Sequence, residues 1–313
     1  MKLHAIVPVL IAGFSLLFQG CNDEKGVYEL FSGSLPRIEI PDEDGSRYTD
    51  PQTLFFTLKG NAVEVEGEVY TIEEISDDEE MTTYSASFPI TSEIVVSGLS
   101  YLKAEEKLVL DIAGLERRLT LEKFASLMER KANEFVQVGL TSDLSHLSDN
   151  QKELIGLLFK IADIMDDIYW AQVFPDRGAA LASMMDPNVS RFFKINYGPW
   201  ERLNGNLPYL PGYGPKPAGS GYYPADMTKE EFDALDDPRK SSLYTLIIRD
   251  TDGSLKVVPY HEAYAEQVRE AADLLKQASE LAEDKGFKKY LELRAEALLN
   301  DDYYASDMAW MEM

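Results

Sequence analysis

The side chains best suited to acid–base or metal chemistry are few in this chain and poorly spaced for it. Among 313 residues there are three histidines and one cysteine. His261-Glu262 could open a zinc-peptidase helix of the form H-E-x-x-H, in which two histidines one turn apart share the metal. Position 265 is Ala and position 266 is Glu, so neither that motif nor H-E-x-x-x-H is present, and His261 reads as a helix-entry residue. Asp163 and Asp167 lie one helical turn apart with Asp166 beside them, but no histidine joins the carboxylates, which read as an acidic helix face. The run from Glu73 to Glu80 lacks the glycine that turns a calcium loop and reads as a solvated loop. Asp250-Thr251-Asp252-Gly253 begins like an EF-hand loop but lacks its closing Glu; between two β-prone runs it signals a hairpin. The glycine patterns of nucleophile elbows, P-loops and dinucleotide folds do not occur either. No residue is assigned a catalytic or metal-binding role.

The elements that would position any site must therefore be read from composition and periodicity. Asp and Glu total 55 against 30 Lys and Arg, a formal net charge of −25. That opposes nucleic acid as a partner, since such binding relies on neutralising phosphates with cations. It also opposes purely electrostatic adhesion to anionic lipid. The chain is 45% hydrophobic and 27% charged, as folded soluble proteins are. Single cores stop growing near roughly 250–300 residues, so two domains are expected after the N-terminal segment. A lone cysteine excludes an internal disulfide.

Residues 1–20 read as a targeting segment, with Lys2 ahead of an apolar run from Ala5 to Phe18 that ends at Gly20-Cys21. The run is short for a bilayer span. A cysteine directly after a small residue is placed like a bacterial lipoprotein processing site, although Phe18 and Gln19 depart from its usual Leu and small residue. Lipidation at Cys21 would tether a soluble body to a membrane of the bacterial cell envelope; the alternative is ordinary signal cleavage nearby, with Cys21 a chance thiol.

Residues 21–118 form a β-rich domain of unassigned role. The expected strands are Arg37–Ile40, Thr53–Leu58, Ala62–Val69, Thr82–Phe88, Glu93–Val96 and Lys107–Ile112, a spacing that points to a small antiparallel sandwich or partly open barrel. From 119 to 313 the pattern is mostly helical. Thr120 is placed to cap a helix carrying Leu121, Phe124, Leu127 and Met128 at helical spacing. Ser148 with Gln151, and Thr228 with Glu231, form capping boxes for two more. A hairpin is expected over 243–258, then a helix from about Glu262 to Asp284 ended by Gly286, its partner Phe287–Leu299, and a last helix after Asn300. The apolar pattern of that last helix runs to Met313, which reads as a truncated domain. The fold class is α+β.

Between these elements lies Ile195–Met227, INYGPWERLNGNLPYLPGYGPKPAGSGYYPADM, which is too rich in Gly and Pro for helix or strand. Its interleaved aromatic residues distinguish it from a flexible linker. The functional reading is an ordered loop that lines a cleft, and the alternative is an ordered structural connection whose rings fill the edge of a core.

Four stretches carry a family resemblance: LSDNQKELIGLLFKIADIMDDIYW (147–170), INYGPWERLNGN (195–206), YYPADMTKEEF (222–232) and LLNDDYYASDMAW (298–310). Over about residues 121–313 the chain resembles the N-terminal portion of dipeptidyl-peptidase-III-like zinc metallopeptidases, in a lipoprotein branch. The resemblance implies a two-lobed, mostly helical peptidase with a wide cleft, in which zinc polarises the scissile carbonyl and activates water. It also implies that the zinc motifs and the motif gripping the substrate N-terminus lie downstream of the matched segment. Zinc is thus expected for the full-length protein and no cofactor for this chain, which is expected to be inactive alone. Asn204-Gly205 is similar to the Asn-Gly of the family's cleft loop, but Asn206-Leu207-Pro208-Tyr209 replaces the family's histidines and tyrosine. The substrate-cleft candidates are Trp200, Asn204, Gly205, Asn206 and Tyr209, with peptide as the substrate class. The alternative is a non-catalytic surface lipoprotein that binds peptide or glycan through loop 195–227.

Overall fold

The computed structural model of the protein describes residues 29–42, 45–114 and 118–313. The targeting segment and Cys21 lie outside these residues. The described chain is α+β, an antiparallel β-rich part followed by a helical region. Its contacts divide it into two compact units, one running to Gln137 and including Gly178–Lys216, the other comprising Val138–Arg177 and Pro217–Met313.

In the first unit the strands are β1 (Glu29–Leu35), β2 (Glu39–Asp42), β3 (Gly45–Tyr48), β4 (Gln52–Lys59), β5 (Ala62–Val65), β6 (Glu68–Thr71), β7 (Glu73–Asp77), β8 (Met81–Ser85), β9 (Phe88–Pro89), β10 (Val95–Leu102), β11 (Lys107–Ile112) and β12 (Arg118–Lys123). Ten of them form one sheet in the order β6-β5-β4-β1-β12-β11-β10-β8-β7, with β9 on β10, while β2 and β3 pair separately. The end strands β6 and β7 are consecutive in sequence and joined by Ile72, which is buried, so the sheet is nearly closed on itself. Alternation supplies the core. Leu108, Leu110 and Ile112 point inward from β11, Leu119 and Leu121 from β12, and Phe31 and Phe56 fill the centre. Gly33 is required where β1 meets β12, because a Cβ there would lie 2.7 Å from the Thr120 carbonyl oxygen.

Several expectations change at this level. Arg118–Lys123 is the last strand of the sheet, paired with β11 and β1, and the first helix, α1, begins only at Phe124 and ends at Asn133. Leu119 and Leu121 satisfy strand alternation, and two partner strands outweigh the helical spacing of Leu121 and Phe124. Ala62–Val69 is a hairpin, broken at Glu66 (φ 51°) and Gly67 (φ 86°), the positive dihedrals of a tight two-residue turn. The acidic run holds a fully exposed strand, β7, whose Asp77 pairs with Lys103 at 2.7 Å. A side-chain bond from Lys103 and another from Thr82 hold the Asp77 carboxyl below its usual range.

The second unit is built on α2 (Asp149–Val173), whose Ser148–Gln151 capping box is present. The chain then returns to the first unit with α3 (Arg177–Ser183, in that unit from Gly178), α4 (Pro187–Asn196) and the two-residue strands β13 (Trp200–Glu201) and β14 (Leu207–Pro208), and back in the second unit come α5 (Lys229–Ala234) and the hairpin β15 (Thr245–Arg249) and β16 (Leu255–Pro259). The chain continues through α6 (Tyr260–Ala263), α7 (Ala265–Leu281), α8 (Lys285–Leu298) and α9 (Tyr304–Glu312). Leu154, Leu157 and Ile161 of α2 pack with Val268 and Leu275 of α7 and Leu291 of α8. Ala271, Ala272, Ala278 and Ala295 are fully buried between these helices, where small side chains let the axes approach closely. The long helix expected from Glu262 is interrupted at Tyr264, and Gly286 is the second residue of α8 rather than a stop. Asp284 caps α8 by accepting from Phe287 N at 2.8 Å, and a capped start tolerates Gly in its first turn.

Candidate functional site

The cleft candidates all fall on one short hairpin of the first unit. α4 ends with Tyr197 in the left-handed region (φ 55°), while Gly198 N donates to Phe193 O at 3.1 Å and Tyr197 N to Lys194 O at 3.4 Å. This Schellman arrangement turns the chain into β13. Trp200 then faces Pro208, and Glu201 faces Leu207, across the β13–β14 pair.

At the base of the hairpin the aromatic candidates turn inward. Tyr209 is 3% exposed, donates its hydroxyl to Gly198 O at 2.8 Å, and meets Phe192 edge-on at 4.7 Å. Burial pushes its phenol far above the usual tyrosine range, so it is no proton donor near neutrality. Trp200 is also buried; its Nε1 donates to Gly214 O at 3.0 Å, and Tyr213 packs edge-on at 6.4 Å.

The other three candidates form the exposed tip. Glu201 O accepts from Asn204 N and from Asn206 N, each at 3.0 Å. That double acceptance requires the left-handed turn at Gly205 (φ 62°) and Asn206 (φ 58°). Asn204 Nδ2 donates to Glu201 Oε2 at 3.2 Å, and Leu203 beside it is 83% exposed. The tip therefore presents amide and backbone groups with one apolar side chain. It can position a ligand, and it has no group poised to attack or to transfer a proton.

Sequence reasoning missed what holds the hairpin. Glu201 receives Lys131 Nζ of α1 at 2.8 and 2.7 Å, and the two side chains are 17% (Lys131) and 13% (Glu201) exposed. Asn196, buried, donates to Phe192 O at 3.0 Å and accepts from Arg202 N at 3.0 Å. A partner 70 residues away leaves no mark in local sequence.

The remaining part of the loop docks in the second unit. Gly221 N donates to Gln172 O at 2.8 Å, and a Cβ on Gly221 would stand 2.8 Å from the carbonyl oxygens of both Ala171 and Gln172. Tyr222 donates to Gln172 Oε1 at 3.3 Å and accepts Ile247 N on its carbonyl at 3.0 Å. Arg249 binds Glu231 through both terminal nitrogens at 3.0 Å and Asp226 through Nε at 2.8 Å. That fork, with the Thr228 backbone N–H, holds the Glu231 carboxyl at about 2.

The other chemical candidates are accounted for by structure. His261 lies in α6 at a helix entry, and its Nδ1 is 2.7 Å from Asp301 Oδ2. Asp167 pairs with Arg177 at 2.8 Å, and Asp252 accepts from Ser254 within the hairpin turn. Among the described residues no group of three His, Cys, Asp or Glu side chains could hold a metal ion. The zinc implied by the resemblance has no ligand set here.

No family model matches the chain. The structure of dipeptidyl-peptidase III from Caldithrix abyssi is 39% identical with a TM-score of 0.55, covering 59% of this chain and 37% of that one. Dipeptidyl-peptidase III from Corallococcus sp. strain EGB is 33% identical with a TM-score of 0.55, covering 60% of this chain and 38% of that one. Nudix hydrolase 3 of Arabidopsis thaliana is 27% identical over 265 residues, 65% of this chain and 34% of its own length. Over part of its length the chain is dipeptidyl-peptidase-III-like. It spans 37% and 38% of the two solved chains.

Proposed function

We propose that this chain supplies one wall of the substrate cleft of a membrane-anchored, dipeptidyl-peptidase-III-like protein. The hairpin tip Leu203–Asn206 would contact the peptide. The observation that carries this reading is the likeness to two solved dipeptidyl-peptidase III chains at 39% and 33% identity. In the proposal, the tip's amide groups align an extended peptide main chain, while Trp200 and Tyr209 hold the tip in place from beneath. The zinc ligands would come from sequence beyond these residues, and the chain alone would hydrolyse no dipeptidyl arylamide. Lipidation at Cys21 would fix the protein to the bacterial cell envelope. The inward packing of Trp200 and Tyr209 weighs against the rival reading, a non-catalytic surface lipoprotein that binds peptide or glycan through the aromatic residues of this loop.

A chimera tests the cleft reading. Leu203–Asn206 would replace the corresponding tip of the Caldithrix abyssi dipeptidyl-peptidase III, and release of dipeptides would be followed with bound zinc measured in parallel. Activity is expected to survive the graft, and Asn204→Ala within it to lower kcat/KM by about tenfold, the scale of one lost positioning hydrogen bond. A chimera that keeps its zinc and responds to no change at position 204 would remove the tip from the cleft. Zinc-dependent turnover by the 313-residue chain would overturn the expectation that it is inactive alone.

A further inference from the structure

We propose that the groove between the end of α1 and the outer face of α4 is a binding site for short acidic peptides that carry an aliphatic side chain. The groove has a volume of about 510 Å³ and is lined by Phe135, Val136, Pro187 and Ile195 together with Arg191 and Lys194. Such a volume falls within the roughly 300–1,000 Å³ of small-ligand sites. None of the hairpin residues 200–208 lines it, so the inference is independent of the cleft reading.

Charge and shape together distinguish this groove. α4 buries Val189, Phe192 and Phe193 and turns Arg191 and Lys194, three residues apart, to its outer face. Arg191 is planted in the wall, donating Nη1 to Asn133 Oδ1 at 3.2 Å and Nη2 to Phe135 O at 2.6 Å. Its guanidinium is thus fixed in orientation before any ligand arrives. Among the described residues neither Arg191 nor Lys194 is paired with a carboxylate. Elsewhere in this chain of net charge −25, cations such as Arg130, Lys131 and Arg249 hold carboxylates directly. Two adjacent cations left open beside apolar walls are complementary to a carboxylate with a neighbouring hydrocarbon group. Val136, 81% exposed, and Phe135, packed at 6.0 Å on Phe192, give that hydrocarbon a surface to cover. A nucleic acid would bring phosphates but no aliphatic side chain to cover the apolar walls.

Titration calorimetry with the purified protein tests this, using acetyl-Glu-Val-Glu-Leu-Glu-amide as the probe. The peptide is expected to bind with a Kd below about 1 mM. Affinity should fall about tenfold in Lys194→Glu and in Val136→Asp, and similarly when Gln replaces the peptide's Glu residues. Lys194 and Val136 are chosen because Arg191 also braces the wall. Circular dichroism of each variant separates lost binding from lost folding, and Lys194→Arg should restore affinity. No saturable binding, equal binding of the Lys-substituted peptide or of oligothymidylate, or an unchanged Kd in folded Lys194→Glu would each overturn the proposal.

Discussion

The two halves of the loop Ile195–Met227 have similar compositions and are fixed by different physics. The first, to Lys216, belongs to the unit with the sheet; the second, from Pro217, belongs to the unit with the long helices. In the first half buried rings dominate, since Tyr209 and Trp200 satisfy their polar atoms on Gly198 and Gly214 and pack against Phe192 and Tyr213. In the second half close approach and charge dominate. Gly221 lies against the end of α2, and Arg249 clamps Glu231 and Asp226. Glycine and tyrosine in such a stretch can therefore be docking residues, and its functional surface is left to the polar tip between them.

The comparison breaks most visibly at Tyr209. Tyr209→Ala removes a buried ring and is expected to destabilise its unit by about 3–5 kcal/mol. Hydrogen exchange should quicken across 195–216 and leave 217–227 unchanged; equal quickening of both halves would mean that they are one cooperative element. Gly221→Ala is the reciprocal experiment. Its methyl group would press on two carbonyl oxygens, at an expected cost of about 1–3 kcal/mol, with exchange rising in 217–227 alone. The smallest expected effect is a pH dependence. The Glu231 carboxyl is held at about 2 against an ordinary 4.5, so its contribution is present above the ordinary value. It should be lost as pH falls from about 4.5 through about 2. The melting temperature of Glu231→Gln, measured along a pH series, should approach that of the parent protein at the acid end. A constant gap at every pH would remove the Arg249 clamp as the cause.

What could be read from sequence was local. The Ser148–Gln151 and Thr228–Glu231 capping boxes and the Asp250–Gly253 turn are each set by residues within a few positions, and each stands in the structure as expected. Arg118–Lys123 could not be read that way, because its leucines fit both periods and distant strands made the choice. Glu73–Asp77 could not either, since the polarity that marked it as a loop is the polarity of a fully exposed strand. At the site, the Asn204-Gly205 turn was legible in sequence, whereas the Lys131–Glu201 pair beneath it depends on tertiary contact.

The joint at Ile72 has a consequence for self-association. A strand at the end of a sheet offers unpaired backbone groups to any passing chain, which is how β-rich proteins aggregate. Here the two end strands are neighbours in sequence, and one of them carries Glu73, Glu74 and Asp77 on a fully exposed segment. A second copy approaching that seam meets its own acidic residues. The same carboxylates that at first suggested a cation site thus act as a guard that keeps the sheet from growing.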